Sequence, residues 1–130
     1  MIDLKTAQEQ GVAPWDQLVS EQITYMVYRD AFPVTQGHLL FVPKINNTDA
    51  ILDCYRAAHK YGNWLVLKGT ADAYNVGMNL GAAAGQTVMY PHVHMIPRRA
   101  GDCADPVGGV RGVVSGQANY KTHTYQQPDK

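Results

Sequence analysis

The feature that most constrains this chain is a change in the period of its apolar residues. In "NNTDAILDCYRAAHKYGNWLVLKGT", residues 46–70, Ile51, Leu52, Tyr55, Ala58 and His59 fall at helical spacing, and Trp64, Leu65 and Leu67 continue the apolar side. Asn47 or Thr48 can cap the start and Gly69 can stop the run, while Gly62 inside it weakens helix propensity. On either side the pattern suits strands. "QLVSEQITYMVYRD" (17–30) is rich in β-branched and aromatic residues, and "HLLFVPK" (38–44) is a short apolar run ending at Pro43. "FPVTQG" (32–37) reads as the turn between them, so the two form an antiparallel pair. "AYNVGMNL" (73–80) and "TVMYPHVHMIP" (87–97) return to strand character around a small-residue loop, "GAAAGQ" (81–86). This order predicts an α+β domain with a largely antiparallel sheet and one main helix.

A chain of 130 residues is one domain by size, long enough to bury a single core. The domain is expected to span 1–130, with its core at about 17–99 and an irregular tail at about 100–130, rich in Gly, Pro, Asp and Gln. No apolar run is long enough to cross a bilayer, and "MIDLKTAQEQG" has neither a signal core nor an arginine-rich amphipathic pattern. A cytoplasmic location without membrane association is the default expectation. Lys and Arg number 11 against 11 Asp and Glu, which argues against a nucleic-acid partner but leaves room for a small phosphate ligand that needs only a few local donors. Cys54 and Cys103 form no CxxC and read as ordinary thiols, so no structural zinc is indicated.

Chemistry concentrates in "GQTVMYPHVHMIPRR", residues 85–99. On a strand, side chains two apart share a face, so Tyr90, His92 and His94 point one way and Met89, Pro91, Val93 and Met95 the other. An apolar face packed on a support, with imidazoles opposite, is the division expected of a strand that carries a site. A solvent-facing strand with incidental histidines has the same pattern. Two such imidazoles can also chelate a metal, with His38 as a distant third ligand. Arg98 and Arg99, which follow directly, would oppose a cation and favour an anion.

The loop before the strand strengthens the anion reading. Asn79, Gly81, Gly85, Gln86 and Thr87 combine close backbone approach with amide and hydroxyl donors, as a phosphate cradle would. A neutral imidazole is a competent nucleophile at phosphorus near neutral pH, and preorganised donors would stabilise charge developing on phosphoryl oxygens.

From about Glu21 to Arg111 these segments resemble the histidine triad (HIT) nucleotide-binding superfamily, whose signature alternates histidines with apolar residues. "RDAFPVTQGHLLFVPK" resembles its first strand pair, "YNVGMNLGAAAGQT" the segment entering the triad strand, and "HVHMIPRR" its completion. "GDCADPVGGVRG" resembles the sequel in bacterial-type members of the dinucleoside polyphosphate hydrolase kind. The resemblance implies a HIT-like fold of about five strands and one helix.

It further implies that His92 attacks the α-phosphorus of a purine nucleotide, forming a nucleotidyl-histidine intermediate with no obligatory cofactor. His94 would hydrogen-bond phosphoryl or leaving-group oxygens, and His38 would support the hydrogen-bond chain behind the nucleophile. Asp30 would bind ribose hydroxyls, while Asn79, Gly85, Gln86 and Thr87 would lie against the phosphates. Homodimers with continuous sheets are the expected assembly.

Tyr90 takes the place of the first triad histidine. A phenol cannot shuttle protons at neutral pH, but its backbone carbonyl can still hold the nucleophile. Turnover is therefore expected to survive with an altered rate or leaving-group preference. A low-turnover, regulatory nucleotide-binding protein is the alternative that Tyr90 raises, and an HxH metalloprotein is a third. Arg111 reads as a loop arginine that could reach a distal phosphate or a partner subunit, and His59 and His123 read as incidental.

Overall fold

The computed structural model describes residues 2–122 and 124–128; His123 lies outside the described residues. Two compact units divide the chain, Met1–Arg99 and Ala100–Lys130.

The first unit runs α1 (Leu4–Glu9), β1 (Leu18–Glu21), β2 (Tyr25–Arg29), β3 (Leu39–Pro43), α2 (Thr48–Leu67), β4 (Ala73–Gly77), a 3-10 turn (Ala82–Ala84) and β5 (Val93–Arg98). The five strands form one sheet in the order β1-β2-β3-β5-β4, and each neighbouring pair is antiparallel. The α+β architecture is as expected, five strands with one main helix. β5 lies between β3 and β4, so His94 faces Leu40 on one side and Gly77 on the other.

Apolar side chains fill both faces of the sheet. On one, α2 covers Val27, Leu39, Phe41, Val93 and Met95. On the other, Leu4, Ala7 and Ala13 of the N-terminal segment pack with Tyr28, Leu40, Val42 and Tyr90. The core thus begins ahead of residue 17. The first helix, absent from the sequence reading, is short and capped by Asp3, whose carboxylate accepts the Thr6 N–H at 2.8 Å. Six residues contain too few periods to stand out in a sequence, and this helix is held by burial of Leu4 and Ala7.

Three further elements differ from expectation. Residues 17–30 form two strands, because the chain turns at 22–24 with the Gln22 N–H on the Tyr25 carbonyl at 2.9 Å. The strand expected from residue 87 starts at Val93. Continuing the β3–β5 register would set Pro91 against Pro43, and neither has an N–H for the ladder. The helix, finally, buries a different face from the one its large apolar residues suggest. Ala50, Cys54, Ala58, Gly62 and Leu65 are buried, while Leu52, Trp64 and Leu67 are exposed. A mostly small-residue stripe lets α2 lie close to the sheet. At Gly62 a Cβ would fall 2.5 Å from the Tyr74 ring, so the glycine is required by contact.

The second unit holds a 3-10 helix, Gly109–Val113. The Asp105 carboxylate accepts the Val107 N–H at 3.1 Å and the Asn119 amide at 3.0 Å, and the Arg111 Nε donates to the Ala118 carbonyl at 3.1 Å. Arg111 is thereby tied within its own unit.

Candidate functional site

The end of the β3–β5 ladder creates the first element of the site. Released from pairing, the Tyr90 carbonyl lies 2.8 Å from the His92 Nδ1. A carbonyl only accepts, so Nδ1 carries the ring proton and Nε2 keeps its lone pair. Burial holds the His92 imidazolium below its ordinary pKa, against the opposing pull of the Tyr90 carbonyl and Asp30. At neutral pH the ring is therefore a neutral nitrogen base.

Beside it, His94 has the opposite tautomer. The Val34 N–H donates to the His38 Nδ1 at 3.2 Å, which leaves the His38 proton on Nε2. That Nε2 lies 2.9 Å from the His94 Nδ1, so His94 accepts there and carries its own proton on Nε2. Burial, together with repulsion from His92 and His38, lowers the His94 pKa to about 4. His38 is buried and lowered as well, again by loss of water, with Asp30 opposing. Two neighbouring rings, 5.1 Å apart between centroids, thus offer a lone pair and a hydrogen-bond donor. Gly77, opposite His94, leaves open space: a Cβ there would meet nothing within 4 Å.

Asp30 follows β2 at the start of the turn to β3. Its Oδ1 accepts the Phe32 N–H at 2.8 Å and its Oδ2 lies 3.4 Å from the His38 Nε2. Asp30, His38 and His94 bring donor atoms within 4.8 Å of one another, the one such group of metal-ligating side chains among the described residues. The hydrogen bonding does not suit a cation there. Ligation through His38 Nε2 would move its proton to Nδ1, directly against the Val34 N–H, or require a doubly deprotonated ring.

Tyr90 does not point its phenol at the imidazoles. It is 2% exposed within the second core, and its hydroxyl donates to the Pro43 carbonyl at 2.7 Å. That bond satisfies an acceptor at the end of the ladder. Burial chiefly, and Asp3 next, push the phenol up to about 12. Trp15, which the sequence reading passed over, packs its indole on His92 with centroids 4.8 Å apart. An isolated tryptophan between Pro14 and Asp16 carries no periodic signal, and only the pairing of chain segments places it there.

The loop at 81–86 differs from the expected cradle. The Ala84 and Gln86 N–H groups bond the Gly81 carbonyl, and the Gly85 N–H bonds the Ala82 carbonyl. Gln86 is buried: its Oε1 accepts the Gly81 N–H at 2.8 Å, and its Nε2 donates to the Val88 and Met89 carbonyls at 3.1 and 3.2 Å. These donors close the loop on itself, so Gln86 braces it and the four N–H groups are not offered to an anion in this conformation. Thr87 is exposed and Asn79 half-buried. Arg98 donates to Asn75 Oδ1 and Arg99 to the Gln36 carbonyl, which ties both outside the imidazole cluster. His59 belongs to a separate exposed group with Asn63 and the Tyr74 hydroxyl.

Comparison with known proteins bears on the family and the fold. The model of the HIT domain matches residues 13–101. The chain is 28% identical over 100 residues to the adenylylsulfatase HINT3 of Arabidopsis thaliana, covering 72% of this chain and 50% of that protein. It is 31% identical over 80 residues to the asymmetrical bis(5'-nucleosyl)-tetraphosphatase of Schizosaccharomyces pombe, covering 56% and 44%. The chain thus spans about half the length of these curated relatives. Among solved structures, a zinc-bound histidine triad family protein from Mycobacterium smegmatis superposes with a TM-score of 0.64 at 28% identity, covering 76% of each chain.

Proposed function

The chain belongs to the HIT domain family, and from that premise we propose that it is a nucleotide-binding hydrolase or transferase that cleaves a phosphoanhydride or P–N bond at the α-phosphorus of a purine nucleotide. One observation carries the reading: the Tyr90 carbonyl fixes the His92 proton on Nδ1, so Nε2 keeps a lone pair with which to act as a nucleophile. In this reading Nε2 bonds to phosphorus, the bond to the leaving group breaks, and the departing oxygen or nitrogen takes that electron pair. The His94 Nε2–H donates to the leaving atom or to a phosphoryl oxygen, an interaction that strengthens as charge develops. Water then attacks phosphorus, the N–P bond breaks, a proton passes to solvent, and the nucleoside monophosphate leaves. No metal is required by these steps.

Tyr90 stands at the first triad position, where its backbone supports the nucleophile. Asp30, at the mouth of the β2–β3 turn, is the ribose contact in this reading, with Asn79 and Thr87 toward the phosphates. Gly85 and Gln86 shape the loop that presents them. Diadenosine polyphosphates and adenosine phosphoramidates are the substrate classes favoured by the family. The assembly proposed is a homodimer joined through the edge strand β4, beside which Val66 and Leu67 of α2 are exposed. Sedimentation at micromolar concentration should report twice the chain mass.

The activity test compares AMP release from diadenosine tetraphosphate and from adenosine phosphoramidate by wild type and His92→Asn. Loss of at least about 10³-fold in the variant is expected for removal of a covalent nucleophile. An unchanged rate on every substrate turned over would exclude His92 from that role. Equal nucleotide affinity with no turnover in either protein would favour the regulatory binding protein.

A further inference from the structure

The His92 ring has a neighbour with no assigned part in the chemistry. Trp15 lies in the segment between α1 and β1, and its indole is tilted 58° against the imidazole at 4.8 Å between centroids. The segment is anchored on both sides of this contact. The Val12 and Ala13 N–H groups bond the Ala7 carbonyl at 2.8 and 3.2 Å, and Ala13 is buried. Two residues beyond Trp15, the Gln17 carbonyl accepts the Arg29 N–H at 2.9 Å. Tyr28 stands behind the indole at 6.3 Å, its hydroxyl held by the Gln8 amide at 2.8 Å. The indole is therefore set against His92 by the fold.

What this contact can do follows from the charge on the ring. Before reaction the ring is neutral. When the Nε2 lone pair forms its bond to phosphorus, the leaving group departs with the electrons of the bond that breaks. Nδ1 keeps its proton and goes on donating it to the Tyr90 carbonyl, so the imidazole becomes a cation. An indole within about 6 Å attracts a cation through its quadrupole and attracts a neutral ring far less. Among the groups around His92, His38, His94 and Tyr28 supply no negative charge, and Asp30 supplies a carboxylate that also favours the cation.

Resting on the reading of His92 as the attacking group, we propose that Trp15 is a positioning residue that holds the His92 ring and stabilises the cation formed when the nucleotidyl group is attached. The contribution appears in the step that forms the adduct, because the interaction is stronger after the charge develops than before it.

The test uses the full chain as wild type, Trp15→Phe and Trp15→Leu, with diadenosine tetraphosphate as substrate. Single-turnover measurement follows the acid-labile His92 adduct, and NMR titration follows the His92 ring in the absence of nucleotide. Trp15→Leu should slow adduct formation by about 5- to 30-fold with KM within about twofold, and should lower the measured His92 pKa by at least about half a pH unit. Trp15→Phe keeps an aromatic face and should recover most of both. A purely space-filling indole predicts the opposite pKa change, because its loss admits water that favours the imidazolium. A His92 pKa that stays or rises in Trp15→Leu, or a loss confined to KM, overturns the inference. If wild type forms no adduct, the nucleophile reading fails, while the titration still decides whether the indole favours the cation.

Discussion

The Nε2 of His38 meets the Nδ1 of His94 at 2.9 Å, and the position of the proton between them is set by a third group, the Val34 N–H on the far side of the His38 ring. A backbone donor in the β2–β3 turn thereby selects the tautomer of a side chain on β5. His38→Ala removes the donor to His94 and frees its ring to adopt either tautomer. Turnover should fall about 10-fold, within the range for a group that orients a catalytic imidazole. His38→Gln, whose amide can reach the same position with an N–H, should recover most of it. Nitrogen-15 shifts of His94 provide the check: a protonated Nε2 in wild type and His38→Gln, a mixture in His38→Ala.

Tyr90→Phe separates the side chain from the backbone. The variant leaves the buried Pro43 carbonyl without its 2.7 Å partner, at a cost of about 1–2 kcal/mol in urea unfolding. Turnover should change less than about threefold, since the carbonyl that holds His92 remains. A large loss of kcat at unchanged stability would show that the hydroxyl itself takes part in the reaction.

Gly62→Ala sets helix propensity against contact. Alanine is favoured by about 1 kcal/mol in a helix interior, but its Cβ would sit 2.5 Å from the Tyr74 ring. Contact should win, giving a net loss of about 1–2 kcal/mol by urea denaturation. Adding Tyr74→Ala opens that space, so Gly62→Ala should become neutral or stabilising in the double variant.

Stability should also fall as the pH drops below the ordinary imidazole range. The His94 pKa drops from its ordinary value of 6.5 to about 4 on folding, and His92 and His38 move in the same direction. Between those values the unfolded chain binds protons that the folded one excludes, so stability rises with pH across this window. It should be complete above about pH 6.5 and lost progressively down to about pH 4, with His94 alone contributing on the order of 2–3 kcal/mol. Urea midpoints at pH 7.5, 5.5 and 4.5 measure this. A His94→Asn variant should show a shallower dependence.

How legible the molecule was in its sequence depends on the kind of signal each part leaves. The long helix and the turn before His38 are local patterns and fold where the periods put them, whereas the imidazole strand pairs only from Val93 onward. The buried face of α2 was misread because the contact chose Ala50, Cys54, Ala58 and Gly62 over the larger Leu52, Trp64 and Leu67. A moment of hydrophobicity cannot register how closely two layers approach. His38, His92 and His94 were legible as residue types, but the proton positions that distinguish their chemistry come from Val34 and Tyr90 backbone groups, which any sequence supplies. Trp15 was illegible because its partner lies 77 positions away in the chain.

The end of the β3–β5 ladder has a consequence for how such a site can change. Because Pro91 and Pro43 stop the pairing, the carbonyl at residue 90 is turned over to a side chain instead of a neighbouring strand. The identity of that residue is then decoupled from the service its backbone performs. A phenol can move into the interior and tie down Pro43 while the same peptide group goes on steering the imidazole two residues later. What cannot drift so freely is the interruption itself: restoring an N–H at position 91 would give the sheet a rival claim on the geometry, and the strand could zip past the point where the chemistry begins.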